Sequence, residues 1–287
     1  MKIKFLFYFF LISGLFFVSC SNEEDIKEPL VAVEYLDKKY GNDGEQNYDI
    51  YLPENRDLNT PVIILVHGGS WVGGDKSDMD PFVDNIKNAL PQFAVTNINY
   101  RLLTVVDNKH PTQINDIDLF IKDLSSKQKE NQISNKYYFL GVSAGAHLSL
   151  LYTYTKNNNG NIKAVCSIVG PTNFTDPNYI NSGNSNFELL ATTFLGDTYQ
   201  NNPQIYKDAS PLFQVDHSSA PSILFYGGND PLIPSTQGKD LDQKLTDFNI
   251  MHEFTFYPNE GHGWEGINAV DTMTKITAFF KKIEKDQ

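Results

Sequence analysis

Residues 136–154 read Lys-Tyr-Tyr-Phe-Leu-Gly-Val-Ser-Ala-Gly-Ala-His-Leu-Ser-Leu-Leu-Tyr-Thr-Tyr. A short apolar and aromatic run meets Gly-x-Ser-x-Gly at 141–145, and apolar residues then continue in helical spacing. The run predicts a strand ending near Leu140, and the residues after Ser143 predict a helix. A serine at so sharp a turn is forced into a strained backbone, and glycines at 141 and 145 remove side chains that would collide where the turn closes. Ser143 is then held exposed at the amino end of a helix, whose amides and dipole favour developing negative charge. The bare pattern also describes a plain glycine-rich turn; the strand before it and the helix after it favour a nucleophile.

On the amino side, Leu30–Leu36 and Asn47–Leu52 have strand character with a turn at Gly41–Gly44, which predicts an antiparallel hairpin at a sheet edge. Val62-Ile63-Ile64-Leu65-Val66 is apolar without alternation, as in a parallel strand covered on both faces. His67-Gly68-Gly69-Ser70-Trp71-Val72-Gly73-Gly74 follows, with four glycines in eight positions, a backbone able to turn amides into a cavity. Asp80–Leu90 predicts a helix, Phe93–Tyr100 a strand, and Thr112–Leu124 a helix with an acidic outer face. On the carboxyl side, Ile162–Gly170, Pro221–Tyr226 and Met251–Tyr257 predict strands, and Asp240–Thr246 and Ala269–Ile283 helices. The alternation predicts the α/β class, a mostly parallel doubly wound sheet with helices on both faces. Pro171–Ala220, rich in Asn, Thr, Tyr and Pro, breaks the rhythm and holds only short periodic pieces, such as Phe187–Leu195 and a turn at Pro203–Asp208. An insertion at the carboxyl end of a strand lies over the active-site rim, so residues 171–220 are expected to form a small cap.

A serine at neutral pH attacks poorly until an imidazole takes its proton, and the imidazole needs a carboxylate to fix its tautomer. His262, in Asn-Glu-Gly-His-Gly-Trp after the last predicted strand, has glycines on both sides and is the expected base. His147 is committed to the helix after Ser143 and reads as a packed, hydrogen-bonded core residue, while His110, His217 and His252 read as surface or loop residues. Asp230 leaves the next-to-last strand in Tyr-Gly-Gly-Asn-Asp-Pro and is the expected orienting acid, since that strand end neighbours the one bearing His262. Its bland reading is an Asn-Asp-Pro turn. Asp197, Asp208 and Glu260 are weaker rivals because none leaves a core strand at that point.

The 287 residues suffice for one large core, and 40% apolar content is that of an ordinary globular protein. A net charge of −12, from 35 acidic and 23 basic residues, argues against a nucleic-acid partner. The amino terminus stands apart: two lysines within Met1–Lys4, an apolar run over Phe5–Val18, then Ser19-Cys20, which reads as a signal peptide over residues 1–19. Its removal takes two lysines and no acid, leaving −14. The junction resembles the lipobox of bacterial lipoproteins, with Phe17 in place of the usual leucine, and the acidic Ser21–Asp25 stretch resembles the tether of surface-directed lipoproteins. That resemblance implies a lipidated Cys20, a tether over 20–29, a catalytic domain over 30–287, and an outer-membrane, surface-exposed location, with a periplasmic or secreted form as the alternative. Cys166, the one other cysteine, lies in an apolar run and reads as a small core residue.

From about residue 30 to the end the chain resembles the alpha/beta-hydrolase superfamily. Within it, it is similar to carboxylesterases of the hormone-sensitive-lipase type and to feruloyl and acetylxylan esterase-like and kynurenine-formamidase-like groups. The residues carrying the likeness are His67-Gly68-Gly69-Ser70-Trp71, Asn99-Tyr100-Arg101-Leu102, Gly141-Val142-Ser143-Ala144-Gly145, Gly227-Gly228-Asn229-Asp230 and Gly261-His262-Gly263-Trp264. The order serine, aspartate, histidine is also that superfamily's. The resemblance implies a nucleophile at Ser143, an acid at Asp230 and a base at His262. It implies an oxyanion hole from the amides of Gly69 and Ala144, assisted by Gly68 or Ser70, with His67 shaping the loop and Tyr100 and Arg101 bracing it. Ser70 departs from the family where a third glycine is frequent.

The expected substrate is a small-molecule or glycan-linked ester, with short acyl or aromatic groups, cleaved without cofactor or metal. Phe174, Tyr179, Phe187, Phe194, Tyr199 and Tyr206 in the cap segment suit an aromatic or sugar-bearing ester better than a long acyl chain, unless they only pack the cap. The alternatives are an arylformamidase-like or other small amide hydrolase on the same fold, and a surface binding protein that has lost activity.

Overall fold

The computed structural model describes residues 29–180 and 185–286. The signal peptide at 1–19, Cys20 and the tether up to residue 28 lie outside the described residues, as do cap residues 181–184.

Among the described residues eight strands form one sheet: β1 (Val33–Lys39), β2 (Asn47–Leu52), β3 (Val62–Val66), β4 (Ala94–Ile98), β5 (Tyr137–Val142), β6 (Ile162–Ile168), β7 (Ser222–Gly227) and β8 (His252–Tyr257). Their spatial order is β1-β2-β4-β3-β5-β6-β7-β8. β1 and β2 pair antiparallel, as do β2 and β4, and every later neighbour pairs parallel. The hairpin lies at the edge as expected, although its first strand begins at Val33, three residues after Leu30. The helices are α1 (Asp80–Ala89), α2 (Thr112–Ser126), α3 (Gln128–Asn131), α4 (Ala144–Lys156), α5 (Pro177–Ile180), α6 (Ser185–Leu195), α7 (Pro203–Asp208), α8 (Pro211–Gln214), α9 (Thr236–Asp247) and α10 (Gly266–Lys285). This is the alpha/beta-hydrolase architecture.

The unbroken apolar run of β3 has a direct cause in this layering. Val62, Ile64 and Val66 enter the core built with α2, α4 and α9, while Ile63 and Leu65 enter the one built with α1 and α10. All five side chains are fully buried, each contributing about 1.5–3 kcal/mol of gross burial free energy. No helix among the described residues is long and apolar enough to cross a membrane.

Three local expectations are corrected. The supposed turn at Pro203–Asp208 is helix α7, because Pro203 sits in its first turn, where the missing N–H costs nothing. The outer face of α2 is not uniformly acidic: Asp116 is fully buried, accepting from Arg101 at 2.6 Å and from Gln46 at 2.8 Å. His110 lies in a turn, as the loop reading has it, but it is no free surface residue, for its ring packs 5.5 Å from that of Phe194 and burial pushes its pKa down to about 4.

Candidate active site

The sheet order reverses around β3, with β4 on one side and β5 on the other. At such a switch point the loops leaving neighbouring carboxyl ends part and open a crevice. The loops entering it here are the glycine stretch after β3 and the turn after β5.

Ser143 sits on that turn with φ 53° and ψ −118°, a region costing a non-glycine residue roughly 1–3 kcal/mol. Close packing over-determines the turn. A Cβ at Gly145 would stand 2.1 Å from the carbonyl oxygen of Val66, and one at Gly141 would stand 2.3 Å from that of Gly145. The Ser143 amide donates to Ile168 at 2.8 Å and its carbonyl accepts from His147 at 3.0 Å, so the hydroxyl is left pointing out of the elbow.

Asp230 and His262 leave the adjacent parallel strands β7 and β8. The Asn229 amide donates to the Glu260 carbonyl at 2.8 Å and binds the two loops together. His262 Nδ1 lies 2.8 Å from Asp230 Oδ2, and its Nε2 lies 2.9 Å from Ser143 Oγ. The Asp230 side chain is shut off from solvent, and its other oxygen accepts from the amides of Leu232 at 2.8 Å and Ile233 at 2.9 Å. With Oδ2 facing Nδ1, that nitrogen carries the proton and Nε2 is free to accept one. The rival carboxylates are engaged elsewhere: Asp197 with Thr198 and Asn201, Asp208 with Gln204, and Glu260 with Asn268.

The glycine stretch curls in a left-handed path, with φ of 102° at Gly69, 54° at Ser70 and 64° at Trp71. Its carbonyl ends are tied down. Tyr100 donates its hydroxyl to His67 O at 2.9 Å, the two rings stack at 4.3 Å, and burial keeps that hydroxyl protonated. His67 Nδ1 lies 2.8 Å from Gly68 O, and burial lowers its pKa, so it serves as a neutral donor within the loop. Arg101, expected beside Tyr100 as a brace, is instead spent on Asp116, its guanidinium and amide both donating to that carboxylate. Ser70 and Ala144 line one cavity with Ser143 and His262, of about 200 Å³, closed on the cap side by Phe187 and Leu190 of α6 and on the other by Leu232 and Ile233. The first amide of a helix has no acceptor within it, which leaves that of Ala144 available to a bound oxygen.

Sequence reasoning missed a connection between Trp71 and His147. The buried indole N–H donates to His147 Nδ1 at 3.2 Å, and His147 Nε2 donates to the Ala209 carbonyl at 2.8 Å. His147 is fully buried, and desolvation pushes its pKa down to about 3, so it stays neutral with both nitrogens satisfied. Trp71 also stacks on Phe194 at 4.5 Å. One side chain thus joins the glycine loop, the helix below Ser143 and the cap. The four-residue spacing from Ser143 to His147, one helical turn, was the available signal. Among the described residues no group of three or more His, Cys, Asp or Glu side chains could hold a metal ion.

Comparison with known proteins gives the following. A family model described as BD-FAE matches residues 48–245. Esterase LipC of Mycobacterium tuberculosis is 24% identical over 267 residues, covering 86% of this chain and 65% of the relative. Isoprenylcysteine alpha-carbonyl methylesterase ICME of Arabidopsis thaliana is 26% identical over 246 residues, covering 78% of this chain and 55% of the relative. The chain therefore spans between about half and two thirds of the length of these relatives. A solved structure, a truncated form of a carbohydrate esterase from gut microbiota, superposes with a TM-score of 0.76 at 20% identity, over 89% of this chain and 97% of that one.

Proposed function

The chain belongs to the BD-FAE family, and on that footing we propose that it is a serine hydrolase of carboxylic esters, acting on short-acyl or aromatic esters through an acyl-enzyme. The observation that carries this reading is the hydrogen-bonded series Asp230, His262 and Ser143 at the mouth of a cavity. The ester carbonyl oxygen turns toward the amides of Gly69, Ser70 and Ala144. Ser143 Oγ adds to the acyl carbon as its proton passes to His262 Nε2, and Asp230 steadies the imidazolium. The bond to the alcohol oxygen breaks as that proton passes to it, and water then repeats the sequence on the acyl-enzyme. Each amide donor aimed at the developing oxyanion is worth about 3 kcal/mol.

The finer assignment is to acetyl or feruloyl groups, including those carried on glycans. Its supports are the small cavity beside Ser143, the aromatic cap, and the fold shared with a carbohydrate esterase. In this reading residues 171–220 cap a catalytic domain of 30–287. Cys20, freed by removal of residues 1–19, carries lipid and holds the domain by the 20–29 tether at the outer membrane; the support is the sequence around Ser19-Cys20. Ser143→Ala is the test of the activity: hydrolysis of p-nitrophenyl acetate is abolished while the thermal transition is retained, and undiminished turnover in the pure variant would sink the assignment. Mass spectrometry of the amino terminus tests the anchor, and an unmodified terminus downstream of Cys20 would remove it.

A further inference from the structure

His262 borders a second cavity, distinct from the one that holds Ser143. Its volume is about 340 Å³, and its walls are Phe82 of α1, Val142 and Ile168 at the ends of β5 and β6, and Trp264, Ala269 and Met273 around the start of α10. The two cavities lie on opposite sides of the sheet's carboxyl edge. Phe187 and Leu190 pack with the α2, α4 and α9 core, whereas Phe82, Val142, Trp264 and Met273 pack with the α1 and α10 core. The Trp264 wall is fixed, its indole N–H donating to Thr272 Oγ1 at 2.9 Å and its ring 4.9 Å from that of Tyr257. Among the described residues no Asp, Glu, Lys or Arg lines this cavity. Asn85, Ala269 and Met273 also border an adjacent cavity of about 320 Å³, which lies between α1 and α10 and reaches Thr277. From Ala269 to Thr277 the helix advances about 12 Å.

We infer, resting on the serine-hydrolase reading above, that this groove is the leaving-group subsite and that it takes an extended apolar alcohol. The proton held on Nε2 must pass to the alcohol oxygen as the ester bond breaks, so that oxygen has to stand within hydrogen-bond reach of His262. The acyl carbon and the oxyanion are fixed on the other side, by Ser143 and the amides beside Ser70 and Ala144, in a cavity of about 200 Å³. The larger space against the imidazole is what remains for the alcohol. Walls of Phe82, Trp264 and Met273 reward apolar surface and, with Asn85 and Thr272 as the polar side chains besides His262, offer few partners to hydroxyl groups; an alkyl or aryl alcohol at this end of the substrate is therefore a reading that competes with the glycan-linked alcohol. The small cavity then limits the acyl group, and the open groove does not limit the alcohol.

The test is a series of primary alkyl acetates, ethyl, butyl, hexyl and octyl, assayed below their solubility limits. All four pass through the same acetyl-enzyme and release alcohols of nearly equal basicity, so kcat/KM reports how the alcohol is bound. A fully buried methylene raises it about three- to fourfold, and with partial burial we expect at least a tenfold rise from ethyl to octyl. Asn85→Trp and Ala269→Trp, made on opposite walls, are expected to lower the octyl-to-ethyl ratio of kcat/KM at least fivefold. A flat series, or equal losses on both esters in both variants, overturns the groove assignment while hydrolysis of ethyl acetate leaves the serine-hydrolase reading standing. Absence of hydrolysis of every ester, together with no fluorophosphonate adduct on Ser143, sinks both.

Discussion

Replacement of Asp230 by asparagine separates orientation from folding in a way the local geometry makes quantitative. Oδ1 of Asp230 accepts from the amides of Leu232 and Ile233. An asparagine oxygen still accepts both, though more weakly than a carboxylate, so the loop keeps its hydrogen bonds and stability should change by about 1 kcal/mol. At the other oxygen the change is total. Oδ2 faces His262 Nδ1 at 2.8 Å, and an amide NH₂ there donates where the carboxylate accepted. The imidazole must then shift its proton to Nε2, the nitrogen 2.9 Å from Ser143 Oγ, and a protonated Nε2 cannot take the serine's proton. The equivalent change in a serine protease lowers kcat about 10⁴-fold, or roughly 5 kcal/mol of transition-state stabilisation. We expect a loss of that order for p-nitrophenyl acetate at pH 7, with the melting temperature within about 2 °C of the parent. Asp197→Asn, on a carboxylate bonded within its own loop, should stay within twofold. A loss below tenfold for Asp230→Asn at unchanged stability, or a severe loss for Asp197→Asn, would refute the orientation argument.

Trp71→Phe leaves an aromatic ring on Phe194 but deprives the buried Nδ1 of His147 of its donor; such a loss costs about 1–3 kcal/mol. The melting temperature should fall by several degrees and kcat by at least tenfold as Ser70 and Trp71 leave their left-handed conformation; unchanged kcat at a lowered melting temperature would show that the pair only packs. Acid sensitivity follows from His147, whose pKa burial lowers from 6.5 to about 3. The folded state binds fewer protons than the unfolded one between those values, so this contribution is complete above pH 6.5 and drains as pH falls toward 3. From pH 6.5 to 5 it removes about 2 kcal/mol, to be read from urea unfolding; a flat profile over that interval would contradict the neutral, desolvated histidine. Across p-nitrophenyl esters, kcat/KM should decline steadily from C2 to C8 acyl groups because Phe187, Leu190, Leu232 and Ile233 close the cavity beside Ser143, and an optimum at C8 or longer would reverse the assignment of that cavity to the acyl group.

The sheet was legible where one residue pattern has one physical outcome. Five consecutive apolar residues at 62–66, four of them β-branched, bounded by Pro61 and by Gly68-Gly69, favour a strand covered on both sides over a buried helix, and that is β3 with its side chains shared between two cores. The cap was less legible. Ser185–Leu195 shows five large apolar residues, and the core they meet is supplied by Phe174 of the same cap segment and, far away in sequence, by Trp71 and His147. A short helix takes most of its stability from such tertiary contacts and little from its own propensity. Polar surroundings misled in the same way at His110 and Asp116. Lys109 and Asn115 say surface, yet the ring of Phe194 and the guanidinium of Arg101 decide where those side chains go.

Ser143, Asp230 and His262 could be chosen from sequence because each leaves the carboxyl end of a strand, and parallel strands bring such ends to one edge whatever the rest of the chain does. What holds the glycine loop after β3 obeys no such rule. Trp71 and His147 are 76 residues apart, and their hydrogen bond exists because α4 packs beneath the loop with the Ala209 carbonyl waiting on the far side of the imidazole. That carbonyl fixes the proton on Nε2 and so leaves Nδ1 as an acceptor, which is the only state able to receive the indole N–H. A protonated His147 would turn a donor toward Trp71 and push the loop from its left-handed path. Desolvation that keeps this histidine neutral therefore does more than permit its burial: it preserves the hydrogen bond that holds Trp71, and with it the left-handed path of Gly69, Ser70 and Trp71, against α4.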